Sequence, residues 1–150
     1  MRVHLIRSEE LDVEVFEDVL GLLKGTTGPI EFRYDPSYIA QFDHDQLPIR
    51  KQEEEDFREQ KIVEYKSMMS FESTAFPRNR PEATWKQLFK KCERYREEKR
   101  IPENEFVLLL TDMPNDKNWF ASVDAKMPFN GFVHTADWEY FVPSRPAFPI

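Results

Sequence analysis

The chain has 150 residues, of which 40% are hydrophobic and 33% charged, and its formal net charge is -7. At this length roughly 68–70% of the unfolded surface can be buried, so a core needs neither disulfide nor metal. The four glycines fit neither a G-x-G-x-x-G nor a G-x-x-x-x-G-K spacing, which excludes the common phosphate-cradling loops.

Residues 2–7 form a short apolar run with β-branched content, and they predict a first strand. The run is far shorter than the apolar core of a signal peptide, and no window reaches the roughly 18 apolar residues of a membrane span. A cytoplasmic location with no membrane contact is therefore expected. Ser8 reads as the cap of a first helix, with Glu9, Glu10 and Asp12 in its first turn. Leu11, Val15, Val19, Leu22 and Leu23 recur at helical spacing, joined by Val13, Phe16 and Leu20. That wide apolar arc predicts a mostly buried helix ending at Lys24-Gly25.

Ile30–Tyr34 alternates as a second strand, parallel to the first through the intervening helix, and Asp35-Pro36 ends it. Residues 36–49 read as irregular. Residues 50–69 are charge-dense, with Phe57, Tyr65, Met68 and Met69 on one helical face, and 70–80 form a polar connector. Pro81 suits the first position of a third helix, along which Trp85, Leu88, Phe89, Cys92 and Tyr95 share an apolar arc. Phe106–Leu110 is a continuous apolar run, as expected of a central strand covered on both faces. Trp119–Val123 and Phe132–Thr135 read as paired strands, with Asn130-Gly131 as the hairpin turn. The fold expected is α+β or α/β: one domain over residues 1–150, with a mixed sheet of about five strands and about three helices. Residues 141–150 form a Pro-rich arm ending on apolar groups. Either the arm docks on the domain or the natural chain continues.

The charge is segmented: net -8 over residues 1–77, +5 over 78–100 and -4 over 101–150. The basic segment places Lys86, Lys90, Lys91 and Arg94 on the helix arc opposite the apolar one, extended by Arg78, Arg80, Arg96, Lys99 and Arg100. This arc is the expected contact for a protein partner, or for the chain's own acidic run at 53–56. Glu93, Glu97 and Glu98 are interleaved with it, which argues against nucleic acid. The C-terminal arm is a second expected contact.

Catalytic signatures are few. There is no G-x-S-x-G, C-x-x-C or H-E-x-x-H. Cys92, the single cysteine, cannot close an internal disulfide, and on an apolar arc it is expected to be buried and inert. Asp43-His44-Asp45 reads as a solvated acidic loop, because consecutive side chains point to alternate sides and do not converge on one ion. Ligands of open α/β sheets collect beyond the carboxyl ends of parallel strands. Asp112, Asp116, His134 and Asp137 are therefore the candidate catalytic set, with His134 and Asp137 as candidate metal ligands; His4 is expected to be structural. No cofactor is expected beyond a divalent metal at that set.

Val107-Leu108-Leu109-Leu110-Thr111-Asp112, Trp119-Phe120-Ala121-Ser122 and Phe132-Val133-His134-Thr135 follow an aromatic-rich helix. In that order they resemble the upstream half of a zincin-like metallopeptidase core of the archaemetzincin sort, over residues 81–150 at most. The H-E-x-x-H ligands are missing, so the resemblance transfers no catalytic residue and implies an incomplete or degenerate core. The sequence thus favours a non-catalytic interaction or regulatory module. The alternative is a hydrolase or metalloenzyme built on Asp112, Asp116, His134 and Asp137.

Overall fold

The computed structural model describes residues 1–47, 81–117 and 119–135. In chain order these form β1 (Arg2–Ser8), α1 (Val13–Gly25), β2 (Glu31–Ala40), a 3-10 turn at His44–Gln46, α2 (Trp85–Lys99), β3 (Phe106–Thr111), β4 (Ala121–Val123) and β5 (Asn130–His134). One mixed sheet has the order β2-β1-β3-β5-β4, parallel throughout except for the β4–β5 pair. The expected central strand is the middle one. The described residues hold two α-helices rather than about three, since the helix expected over 50–69 lies outside them, as do the 70–80 connector and the C-terminal arm. No helix among the described residues is long and apolar enough to cross a membrane.

Alternation along the strands divides the core in two. Val3, Leu5 and Leu110 face α1 and pack with Leu11, Phe16, Val19 and Leu20. Ile6, Val107, Leu109 and Phe132 face the other way, onto Leu88, Phe89, Cys92 and Tyr95 of α2. The helices thus cover opposite faces of the sheet. α1 is one-sided, contrary to its sequence reading: Val13 and Leu22 are exposed, because one sheet face accepts only one stripe of a helix.

Two local expectations change. Asp35-Pro36 does not end β2. Between Leu5↔Tyr34 and Arg7↔Ile39 the register jumps, so Asp35–Tyr38 bulge out and the strand resumes as far as Ala40. Proline cannot donate to the ladder, so the break falls there. Asp35 accepts from the Ser37 amide at 2.9 Å, and Tyr38 is carried onto α2, edge-on to Tyr95 at 4.6 Å between ring centres. Asn130-Gly131 is not the hairpin turn either. Both residues lie inside β5, and residues 124–129 make the connection, with Asp124 accepting from the Lys126 amide at 2.9 Å. Gly131 is required by closeness, since a Cβ there would stand 3.1 Å from the Phe106 ring and 3.2 Å from the Ser122 carbonyl.

The amino edge of the sheet is held by charge. Arg2 pairs with Glu31 at 3.2 Å and with Glu105, and His4 Nε2 lies 2.6 Å from Glu105 Oε2. His4, then Arg2, hold the Glu105 carboxyl below its ordinary range. Arg96, in the last turn of α2, is buried. Its guanidinium donates to Asn130 Oδ1 at 2.9 Å and to the carbonyls of Pro102, Glu105 and Phe129 at 2.5, 2.9 and 3.0 Å. Replacing Arg96 with Met strands those acceptors in a closed space, at about 1–3 kcal/mol for each unsatisfied group. A loss of about 3 kcal/mol or more in urea unfolding is expected, and a loss under 1 kcal/mol would contradict this account.

Lys99 Nζ lies 2.9 Å from Asp35 Oδ2. The hydrogen bond from Lys99, then those from Ser37, bring the Asp35 carboxyl down from 3.8 to about 2. A lowered carboxyl stabilises the fold above its unfolded value and loses that contribution as pH falls through its folded value. The stability difference between wild type and Asp35→Asn should therefore persist at neutral pH and close between pH 3.8 and about 2. Both side chains are partly exposed, so the difference is small. Chemical denaturation across that range measures it, and a difference that grows as pH falls contradicts it.

Candidate functional site

α1 begins at Val13, capped by Asp12, whose Oδ1 accepts from the Glu14 amide at 2.7 Å. Ser8 is therefore not the cap. It ends β1, fully buried, with its hydroxyl 2.8 Å from Thr111 Oγ1 at the end of β3. Thr111 Oγ1 also accepts from the Met113 amide at 3.0 Å. The two hydroxyls join adjacent strands whose helices lie on opposite faces, the point at which open sheets leave a crevice. The shift of the helix start also moves Glu9 and Glu10 out of a first helical turn and into the β1–α1 loop.

The candidate catalytic set is only partly brought together. Thr111 and His134 are register partners, so Asp112 and His134 stand at neighbouring strand ends. Asp112 Oδ1 accepts from Thr135 Oγ1 at 3.1 Å. His134 is 3% exposed, with Phe120 edge-on to its ring at 6.0 Å. Asp116 is engaged at the start of α2, where its Oδ1 accepts from the Trp85 amide at 3.3 Å. Asp137 lies outside the described residues. Pro81 does not open α2, because Thr84 and Gln87 form a capping box and the helix starts at Trp85.

A second constellation forms beyond β1 and β2. His44 does not pool with Asp43, which accepts from Gln46 Nε2 at 2.5 Å. Instead His44 Nε2 meets Glu10 Oε1 at 3.2 Å and Glu9 Oε1 at 3.7 Å. Glu9 is held in place by its own amide, which donates to Ala40 O at 3.1 Å, and by the Phe42 amide, which donates to Glu9 Oε1 at 3.3 Å. Sequence reasoning missed Glu9 and Glu10 because it placed them in a helix, 35 and 34 residues from His44. The parallel pairing of β1 and β2 was the available signal, since it brings their following loops together.

The basic face of α2 is also divided. Lys86, Lys90 and Arg94 are exposed, and Lys91 is half-buried with Nζ 4.8 Å above the Phe42 ring. Burial, then Arg94 and Lys90, push the Lys91 ammonium below its ordinary value. Arg96 belongs to the core rather than to this face, Lys99 is paired with Asp35, and Arg100 closes the helix with φ 53°. Arg78 and Arg80 lie outside the described residues, as does the acidic run at 53–56. Lys91, Arg94 and Glu98 line a cleft of about 330 Å³ with Ser37, Tyr38, Ile39 and Gln41 of the bulged strand.

Cys92 is fully buried, with Sγ 3.3 Å from the Gly131 carbonyl, and burial pushes its thiol up to about 12. A thiol in that state is not a nucleophile at neutral pH. Native protein should therefore resist a thiol-specific chromogenic reagent and react with one equivalent once unfolded in denaturant. Rapid reaction of the native protein contradicts the burial. Compared with known protein families, curated proteins and solved structures, the chain matches none.

Proposed function

We propose that the chain is a non-catalytic protein-interaction or regulatory module of the cytoplasm, whose contact surface is the basic face of α2 and the cleft beside it. The observation that carries this reading is the meeting of Lys91 and Arg94 with Tyr38 and Ile39 around one cleft of about 330 Å³. A cleft lined mostly by polar groups, with two cations and the Tyr38 ring among them, fits an acidic segment of a partner protein. Glu98 at the same cleft repels carboxylates locally and so gives a bound segment a direction. Lys86 and Lys90 supply long-range attraction from the adjoining surface, while the chain's net charge of -7 repels nucleic acid.

The triple variant Lys86→Glu, Lys90→Glu, Arg94→Glu reverses this face without touching the core. Partner recovery in affinity purification from the native cell should fall at least ten-fold, with the melting temperature little changed. Recovery equal to wild type would remove the face from the proposal. A second reading, a hydrolase or metalloenzyme with an incomplete zincin-like core, is favoured by Asp112 and His134 at adjoining strand ends. Metal analysis separates the two: stoichiometric zinc, manganese or iron that is lost in His134→Ala would overturn the interaction-only reading.

A further inference from the structure

We infer that Glu9, Glu10 and His44 form a binding site for a divalent transition-metal ion at the carboxyl ends of β1 and β2. One ligand atom from each of the three lies within 4.8 Å of the others. His44 Nε2 stands 3.2 and 3.7 Å from the two glutamate oxygens. For bonds of about 2.1 Å the edge of a coordination tetrahedron is about 3.4 Å, so these separations are those of ligands around one ion.

A second, independent feature points to a cation. Both carboxylate oxygens of Glu10 are shut from solvent, each exposing under 1 Å², and among the described residues neither accepts a hydrogen bond. The His44 contact at 3.2 Å is close but lacks hydrogen-bond alignment. A carboxylate withdrawn from water without donors is costly unless a positive charge compensates it. An ion bound between Glu10 and His44 supplies that charge directly, where the Lys91 ammonium acts only through space. Glu9 arrives already oriented by the Phe42 amide, as outer partners orient metal ligands.

The donor set selects the ion class. One imidazole with two carboxylates suits zinc and its first-row neighbours, whereas magnesium and calcium prefer oxygen alone. Three protein ligands leave a fourth position for water, and Glu9 and His44 are exposed, so the ion would exchange with solvent. Lys91 opposes it, because its ammonium lies within electrostatic range of both glutamates.

The test is a calorimetric titration of zinc chloride into the full chain near neutral pH, with excess magnesium present. One equivalent should bind, with affinity at least ten-fold lower in His44→Ala and in Glu10→Gln, tighter in Lys91→Met, and unchanged in His134→Ala. The His44 imidazole proton signals should shift on zinc addition in the wild type. If Glu10→Gln does not fold, Glu9→Gln, at an exposed position, takes its place. Equal affinity in wild type and both ligand variants overturns the site. So does loss in His134→Ala alone, which assigns the metal to the β3–β5 edge instead. Neither outcome bears on partner recovery by the α2 face.

Discussion

A single buried guanidinium fixes how the sheet and α2 meet. Arg96 sits at the negative end of the α2 dipole and bonds the start of β5 through Asn130 and the residue leading into β3 through the Glu105 carbonyl. No carboxylate is needed at this position, because carbonyl dipoles and the helix end together replace water. The side chain closes three separate pieces of chain in one step. With Arg2, His4, Glu31 and Glu105 beside it, it closes the amino edge of the sheet.

The carboxyl edge is built differently. Its charged groups, Glu9, Glu10, His44 and Asp112, stand on the loops that follow the strands. There the Ser8–Thr111 hydroxyl pair ties β1 to β3. This division places a network of charged pairs at one edge and loop-borne carboxylates and an imidazole at the other. It follows from parallel strands, whose following loops all gather on the same side.

Much of the frame was legible in the sequence. Five strands, the parallel β1–β2 pair, the central position of Phe106–Leu110 and the inert burial of Cys92 follow from alternation, apolar runs and helical spacing. The errors share one cause. Ser8 as a cap, Pro36 as a strand end and Asn130-Gly131 as a turn are all sound local signals overruled by partners distant in sequence. Ser8 is claimed by Thr111, Tyr38 by Tyr95 and Gly131 by Phe106. The same applies to the basic arc, where helical spacing could not separate Arg96, drawn inward by carbonyls outside its own helix, from Arg94 on the surface. Glu9 and Glu10 were hidden by the Ser8 error itself, since a helix begun four residues too early absorbs them.

The bulge at Asp35–Tyr38 has a bearing on how copies of this chain behave when concentrated. β2 is the outermost strand on its side of the described sheet, and at ten residues it is the longest. A long, straight outer strand offers a row of open amides and carbonyls to any extended chain that arrives. Here a proline removes one donor halfway along, and the looped-out residues throw the two halves out of step. An incoming strand can follow either half but not both. The irregularity that carries Tyr38 onto α2 thus also interrupts the described edge along which a further strand would pair.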